Sequence, residues 1–251
     1  MRQFAYIVVL LFSTSLVAFG QKSDSSHRLN IIRVDLTSNF IYSEAFILSY
    51  ERVVKPHQSF VITVGSEKFP SIRSFGDHVK VKDDRKKAGV KIGAEYRFYL
   101  KKENRHHAPR GVYLGPYLSY HNFHNDRLLT YQNDDGSAPI EATFDAKLNV
   151  LNVGAQLGYQ FVIGNRWAID LMFIGPSVSR YSAKLNLDGN FSEIELDEAQ
   201  QEIVDKLVGR FPLLGDVLDE ESVTVKGSNS AWAAGWRYQF QVGYHFGRKR
   251  K

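Results

Sequence analysis

The chain has 251 residues, no cysteine and a formal net charge of +5. The absence of cysteine excludes disulfide bonds and a lipid anchor attached to a cysteine side chain. The modest basic excess is spread along the chain, so it does not indicate nucleic-acid binding. A length of this order suits one domain.

The N-terminus has the pattern of a cleaved export signal. Arg2 precedes an apolar run, and Ala18 and Gly20 supply the small residues that a signal peptidase requires. We therefore predict a signal peptide over residues 1–20, with the mature chain beginning at Gln21. The alternative is an N-terminal membrane anchor, which fits less well because the apolar run is too short to span a bilayer comfortably.

Beyond the export signal, eight segments alternate between apolar residues and polar or small ones. The clearest is 232–246, where Trp, Ala, Trp, Tyr, Phe, Val, Tyr and Phe occupy every second position. A period of two residues is typical of a β-strand with two unlike faces. The other segments are 32–36, 46–51, 59–64, 90–100, 112–120, 151–161 and 167–173.

The connections between these segments alternate in length. Short ones are 53–58, 101–110, 164–166 and a first loop near Thr37, and long ones are near 68–87, 122–147 and 183–230. Bacterial outer-membrane barrels have an even number of antiparallel strands, short periplasmic turns and longer outer loops. We predict an all-β fold, an eight-stranded antiparallel transmembrane β-barrel formed by residues 21–247.

The polarity of the two faces favours a membrane barrel over a soluble one, which would place its apolar series inside. The polar series here is rich in glycine, which a crowded lumen tolerates, and aromatic residues end the apolar series. Tyr and Trp favour the membrane–water interface. The location predicted is the cell outer membrane, with an aromatic girdle at the periplasmic ends of the strands. The girdle residues are Tyr96, Phe98, Tyr159, Phe161, Trp167, Tyr244 and Phe246.

Charged residues on the polar series balance each other. An eight-stranded barrel is just wide enough for side chains to fill its interior. An isolated charge there would be costly to desolvate, whereas opposite charges can pair. We predict a structural plug in preference to a conducting pathway. The predicted lumen network consists of Arg33, Asp35, Glu51, Lys91, Glu95, Arg97, Asp170 and Arg237.

An ordered set of short motifs carries a resemblance to a known family. The motifs are Tyr50-Glu51-Arg52, the run from Gly93 to Tyr99, Gly115-Pro116-Tyr117, Gly158-Tyr159-Gln160 and the run from Gly243 to Phe246. Together they resemble a Bacteroidota family of small outer-membrane barrels of unknown function, grouped with the OmpA/OmpX-like barrels. The resemblance covers essentially all of the mature chain. It implies an eight-stranded barrel with no assigned activity.

The last strand also resembles the signal that the outer-membrane barrel assembly machinery reads. Two features depart from that signal: a glycine stands at Gly243 while Gln241 occupies the usual glycine position, and the chain continues past Phe246. Residues 248–251 are predicted to be a basic periplasmic tail. Outer-membrane lipid, lipopolysaccharide and the assembly machinery are the expected partners, and nucleic acid is not.

The sequence offers only weak candidates for chemistry. His106 and His107 lie in a predicted periplasmic turn, and no cysteine or carboxylate cluster completes a metal site. Ser119 and His121 share a face with Glu95, but that face is the lumen and a single Ser–His spacing is common by chance. We predict no catalytic residues, cofactor or metal, and no enzymatic activity.

The loops hold the remaining signals. Residues 188–221 contain 11 acidic residues, and apolar residues from Leu196 to Phe211 recur there at helical spacing. We predict a short helix in this fourth extracellular loop, and the loop at 73–87 is basic, so charges of the two loops could pair. Such a helix usually buries its apolar side locally. The alternative is a docking surface for an extracellular protein or glycan.

These observations predict a non-enzymatic barrel that contributes to envelope integrity or to surface interaction through its loops. A small solute channel is the second hypothesis, and a lipid-modifying enzyme of the outer membrane is the third.

Overall fold

A computed structural model describes the backbone of residues 28–68, 78–104, 106–132, 139–164, 166–189 and 226–249, with Gln201, Ile203, Asp205, Lys206 and Gly209. The predicted signal peptide lies outside these residues, as do the last two residues of the predicted tail. Among the described residues, no helix has the length and apolarity to cross a membrane.

The described chain is almost entirely β-strand. Its elements are β1 (Arg28–Asp35), α1 (Ser38–Ile41), β2 (Ser43–Lys55), β3 (Gln58–Lys68), β4 (Val79–Tyr99), β5 (Gly111–Tyr131), β6 (Ile140–Ile163), β7 (Trp167–Ile174), β8 (Pro176–Gly189), β9 (Lys226–Trp236) and β10 (Gln239–Lys249). All paired neighbours are antiparallel. The prediction of an all-β antiparallel fold is confirmed.

Eight of the strands close into a ring. Strands β1 to β7 follow each other round the ring, and β10 pairs with β7 on one side and with β1 on the other. Strands β8 and β9 pair with each other and continue the lines of β7 and β10 above the ring. The break between β7 and β8 lies beside the break between β9 and β10, since the Arg237 amide donates to the Gly175 carbonyl at 2.8 Å. The predicted count of eight is confirmed for the ring.

Several strands extend well into the segments that the sequence pattern assigned to loops. The predicted loops near 68–87, 122–147 and 183–230 are too long, because β4 begins at Val79, β5 ends at Tyr131 and β6 begins at Ile140. Residues 79–87 of the predicted basic loop are therefore strand. On β5 and β6 the period of two continues through these segments, but both series contain polar and apolar residues, so the alternation was not visible as a contrast in polarity. On β4 the register shifts at Val81/Asp83 and Asp84/Lys86 also interrupt the period.

The shorter connections lie at the end of the barrel where β1 starts and β10 ends. They connect β2 to β3, β4 to β5 and β6 to β7. Gly164 has a φ of +58° in the last of these turns, a left-handed conformation that glycine adopts without strain. The strand ends at Lys68, Tyr131 and Gly189 lie at the opposite end.

The two faces of the wall have opposite polarity over the ring. Large apolar residues such as Ile62, Ile92 and Leu118 are exposed on the outside. The inside carries buried polar residues, of which Arg33 and Glu51 are 0% exposed. A soluble protein rarely exposes a contiguous apolar surface of this extent. An outer wall of this kind is favourable against a hydrocarbon medium, and the closed ring leaves no unpaired strand edge facing it.

Closure of the ring can be tested by an engineered disulfide, because the chain contains no native cysteine that could compete. Val34 and Val242 are direct cross-strand partners on β1 and β10, at a separation that a disulfide can bridge. We expect Val34→Cys/Val242→Cys to cross-link on mild oxidation, detected by non-reducing gel mobility. The control Val34→Cys/Ile169→Cys places the second cysteine one strand further away, on β7, and should stay reduced. Equal cross-linking of both pairs would contradict the register.

Candidate functional site

The interior of the ring is crossed by an arginine that meets carboxylates from two other strands. Arg33 on β1 forms an ion pair with Glu51 on β2 and lies 3.6 Å from an Asp170 carboxylate oxygen on β7. Its Nε donates to Gln241 at 2.9 Å, and its Nη1, which contacts Glu51, also donates to Gln160 at 3.0 Å. All of these groups are buried, and each charge among them has an oppositely charged partner nearby.

Arg97 on β4 is the second hub of the interior. Its Nη1 donates to Asp170 at 2.5 Å, and its Nε and Nη2 both donate to Glu95, at 3.0 and 2.8 Å. The guanidinium also lies over the ring of Tyr113, 4.2 Å from the centroid. The Tyr113 hydroxyl in turn donates to Asp170 at 2.7 Å. Charge-assisted bonds in two directions and a stacked ring hold this guanidinium in one orientation.

A second group of charges lies nearer the long-loop end. Arg237 forms an ion pair with Glu95 and lies over the Tyr117 ring at 4.6 Å. Lys91 lies 3.6 Å from an Asp35 carboxylate oxygen, which also accepts from Gln239 at 2.5 Å. Glu95 bridges Arg97 and Arg237. The structure thus brings the eight predicted lumen residues together on the inner face.

The sequence reasoning missed two charged residues of the interior. Glu67 and Arg127 are buried and face inward. Glu67 was missed because it stands at the end of β3, past the visible apolar alternation, and Arg127 because it fell in a predicted loop. With them, the described interior holds five basic and five acidic side chains. The basic and acidic side chains of the described interior are therefore still equal in number once Glu67 and Arg127 are included.

The short-turn end of the interior is closed by apolar residues. Val53, Tyr99, Ala108 and Tyr113 form a buried cluster there. The Ala108 amide donates to the Pro56 carbonyl at 2.7 Å, which fastens the turn between β4 and β5 beneath the turn between β2 and β3. The Tyr99 hydroxyl donates upward to Glu51 at 2.9 Å. The cluster therefore continues into the polar network without a break.

The predicted girdle residues lie at the short-turn end, on the outer face. They meet as neighbouring pairs: ring centroids are 5.0 Å apart for Tyr96 and Phe98, 4.3 Å for Tyr159 and Phe161, and 5.4 Å for Trp167 and Tyr244. Phe246 packs near Tyr50, at 6.3 Å. The Tyr244 hydroxyl accepts from Arg166 at 3.0 Å. Such rings with a polar atom at the rim suit a membrane–water interface.

The residues considered as candidates for catalysis or metal binding do not form a common site in the structure. His121 pairs with Glu67 at 2.5 Å, while Ser119 accepts a hydrogen bond from Asn152 at 3.0 Å. These contacts do not form a nucleophile relay with Glu95, whose carboxylate is held by the arginines. His107 lies in the turn with its ring 5.1 Å from that of His57. Within the described residues, no group of three or more His, Cys, Asp or Glu side chains is arranged to hold a metal.

The polarity of the wall reverses along the long strands. On β5 the outward series is Val112, Leu114, Pro116, Leu118 and Tyr120, and it continues as Asn122, His124, Asp126, Leu128 and Thr130. The inward series changes in the opposite sense, from Ser119 and His121 to Leu129 and Tyr131. Leu129 and Tyr131 join a buried apolar cluster with Phe144 and Leu187. The upper wall is therefore polar outside and apolar inside, as in a protein surrounded by water.

One residue of the predicted fourth-loop helix belongs to this cluster. Ile203 has helical backbone and is 2% exposed against the apolar inner face of the upper wall. Gln201, Asp205, Lys206 and Gly209 are also helical and are exposed. The rest of residues 190–225 lies outside the described part, so the helix as a whole remains a prediction.

Comparison with known proteins adds little. No family profile matches the chain, and neither does any curated protein. A solved structure with some likeness is a major outer membrane protein from Thermus thermophilus, at 9% identity and a TM-score of 0.36, over 87% of this chain and 98% of that one. A TM-score this low does not establish a common fold. The resemblance to a Bacteroidota family therefore remains a prediction.

Removing the Arg97 guanidinium should destabilise the barrel strongly. Arg97→Ala leaves Glu95 and Asp170 buried with fewer partners, and breaking a buried ion pair in this way costs about 3–5 kcal/mol. Urea unfolding in a fixed detergent, followed by the gel mobility of the folded form, measures this loss. The matched control is Arg52→Ala on the exposed face, for which we expect less than about 1 kcal/mol. Similar losses for both variants would contradict the role of Arg97.

His57 in the β2–β3 turn should stay neutral to lower pH than an ordinary histidine. Partial burial lowers its pKa, and His107 and Lys101 nearby lower it further. NMR titration should place this pKa below the usual value of about 6.5, and His107→Ala should bring it closer to that value. As pH falls below about 6.5, the unfolded chain binds the proton more readily, so His57 contributes a loss of stability only on the acid side. A pKa of His57 above 6.5 would contradict the arrangement.

Proposed function

We propose that the protein is a non-enzymatic β-barrel of the bacterial outer membrane whose interior is closed and whose upper wall acts outside the cell. The observation that carries the proposal is a change of polarity on both faces of the wall. The lower part, up to Tyr120 on β5 and Val178 on β8, is apolar outside and charged inside, and the part above it is largely polar outside and carries the apolar cluster inside. On β5 the apolar outer series covers residues 112–120. This length matches the roughly 9–11 tilted residues with which a strand spans a bilayer.

Connection length supports an orientation for the barrel. Short turns and chain ends lie on the periplasmic side of bacterial outer-membrane barrels, and longer loops lie outside. By this rule the turns around His57 and Gly164 are periplasmic. The upper parts of β4, β5, β6, β8 and β9 then project from the cell surface. The β5 segment above Tyr120 has 11 residues, or about 35 Å of strand at roughly 3.3 Å per residue.

The packing of the interior argues against a permanent channel. Arg33, Glu51 and Arg97 have 0%, 0% and 1% of their surface exposed. A continuous water-filled path at this level would leave such lining charges accessible. The apolar cluster around Tyr99 closes the periplasmic end below them. This favours a role in envelope integrity or surface interaction over solute transport.

Placement of the apolar belt in a bilayer can be tested by cysteine labelling. Leu118 lies in the outward apolar series and Asp126 in the outward polar series of the same strand. In intact cells a membrane-impermeant maleimide should label Asp126→Cys and leave Leu118→Cys unmodified until the cells are dissolved in denaturant. A similar rate at both positions in intact cells would contradict a membrane barrel.

The closed interior predicts the absence of a selective conductance. Purified wild-type protein in a planar bilayer should give no reproducible unitary current. Arg97→Ala/Arg237→Ala, which removes two large side chains from the interior, is expected to give currents more often than wild type. A reproducible, ion-selective current from wild-type protein would support the solute-channel hypothesis instead.

A further inference from the structure

We call the outward apolar series of the wall, which on β5 covers residues 112–120, the apolar belt. On β6 and β8 the outer face carries basic residues on the long-loop side of this belt. On β8 the outward residue Val178 is apolar, and the next outward residue is Arg180, followed by Ser182 and Lys184. Lys147 on β6 is the direct cross-strand partner of Lys184. The side chains of Arg180, Lys184 and Lys147 are all exposed on this face. We call these three residues the basic strip.

Two features of the strip are unfavourable or unusual for a wall that faces only water. Like charges directly opposite each other on antiparallel strands destabilise a sheet, and Lys147 and Lys184 are such a pair. The Arg180 guanidinium is 5.9 Å from the ring centroid of Trp232, an exposed tryptophan of the apolar outer series. Arginine above tryptophan at the edge of an apolar belt is the arrangement expected where a bilayer meets water.

Acidic residues on the same face lie farther from the belt than the strip. Asp145 stands above Lys147 on β6, with 3.8 Å between its carboxylate and the Lys147 amine, and it faces Asp126 on β5. Asp188 stands above Lys184 on β8. His124 lies 3.6 Å from Asp145. Along the strands, the basic residues therefore lie between the apolar belt and the acidic residues. This order favours anions beside the basic strip rather than beyond it.

We propose that Arg180, Lys184 and Lys147 bind the phosphate groups of lipid headgroups in the outer leaflet around the barrel. This inference rests on the proposed membrane location. A phosphate oxygen accepts charge-assisted hydrogen bonds from lysine and arginine, and an anion between Lys147 and Lys184 removes their mutual repulsion. The acyl chains of the same lipid lie along the apolar residues beside and below Arg180, which include its cross-strand partner Trp232 and Val178. The strip therefore recognises a phosphorylated lipid rather than a soluble anion.

The test measures lipid binding to the folded full-length mature protein in a zwitterionic detergent. The probe is an acylated glucosamine disaccharide bearing two phosphates, with its dephosphorylated form as the comparison. The test variant is Arg180→Gln/Lys184→Gln/Lys147→Gln. The matched control, Lys55→Gln/Lys101→Gln/Lys102→Gln, removes the same charge from exposed lysines at the opposite end.

Wild-type protein and the control should bind the phosphorylated lipid with similar Kd, and the test variant should bind at least about tenfold more weakly. The dephosphorylated lipid should bind all three proteins as weakly as the test variant binds the phosphorylated one. Equal affinity of the test variant and wild type would overturn the proposal. Displacement of the lipid by an equal concentration of inorganic phosphate would also overturn it, because the strip would then be a site for free anions.

Failure of this inference is distinguishable from failure of the proposed function. Labelling of Leu118→Cys in intact cells would remove the membrane location itself. Protection of Leu118→Cys together with phosphate-independent lipid binding would leave the membrane barrel standing and remove only the basic strip as a headgroup site.

Discussion

Pairing of β1 with β10 is the constraint on which the rest of the molecule depends. Every backbone amide and carbonyl of a wall in hydrocarbon needs a partner, and only a closed sheet supplies one to the first and last strands. Closure joins the two ends of the chain in register, with Arg33 opposite Gly243. It also turns one face of every strand toward a narrow common interior, which a ring of eight strands leaves to side chains.

That interior explains why the charged residues have to balance. Arg33, Glu51, Arg97 and Asp170 come from β1, β2, β4 and β7, and Gln160 on β6 accepts from both arginines. Most of these contacts therefore join strands that are not neighbours in the sheet. The network adds cross-links through the lumen to the hydrogen bonds around the wall. Its charges are stable in burial because each of these four has a counter-ion nearby.

Much of the ring could be predicted from the sequence, and the upper wall could not. Over 232–246 the contrast between large apolar and small or polar residues reveals strand structure directly, although not the break that divides this segment between β9 and β10. Over 121–131 the same period is present, but Phe123 alternates with Asn122, and Arg127 with Leu128, so neither series has one polarity. Arg127 was missed for this reason, and Glu67 because it stands at the end of β3, past the visible apolar alternation. The contacts among the charged residues of the lumen depend on which residues face each other across the barrel, and periodicity does not encode that register.

The unbroken course of β5 and β6 through the change in polarity has a mechanical consequence. Each strand runs without a linker from the short-turn end of the ring into the upper wall, so these two parts of the wall have no joint between them. A sideways load on the tip would act as a torque on the ring itself, resisted by the arginines of the lumen. Under the proposed orientation, the surface exposed outside the cell and the charged network of the lumen thus belong to one continuous wall.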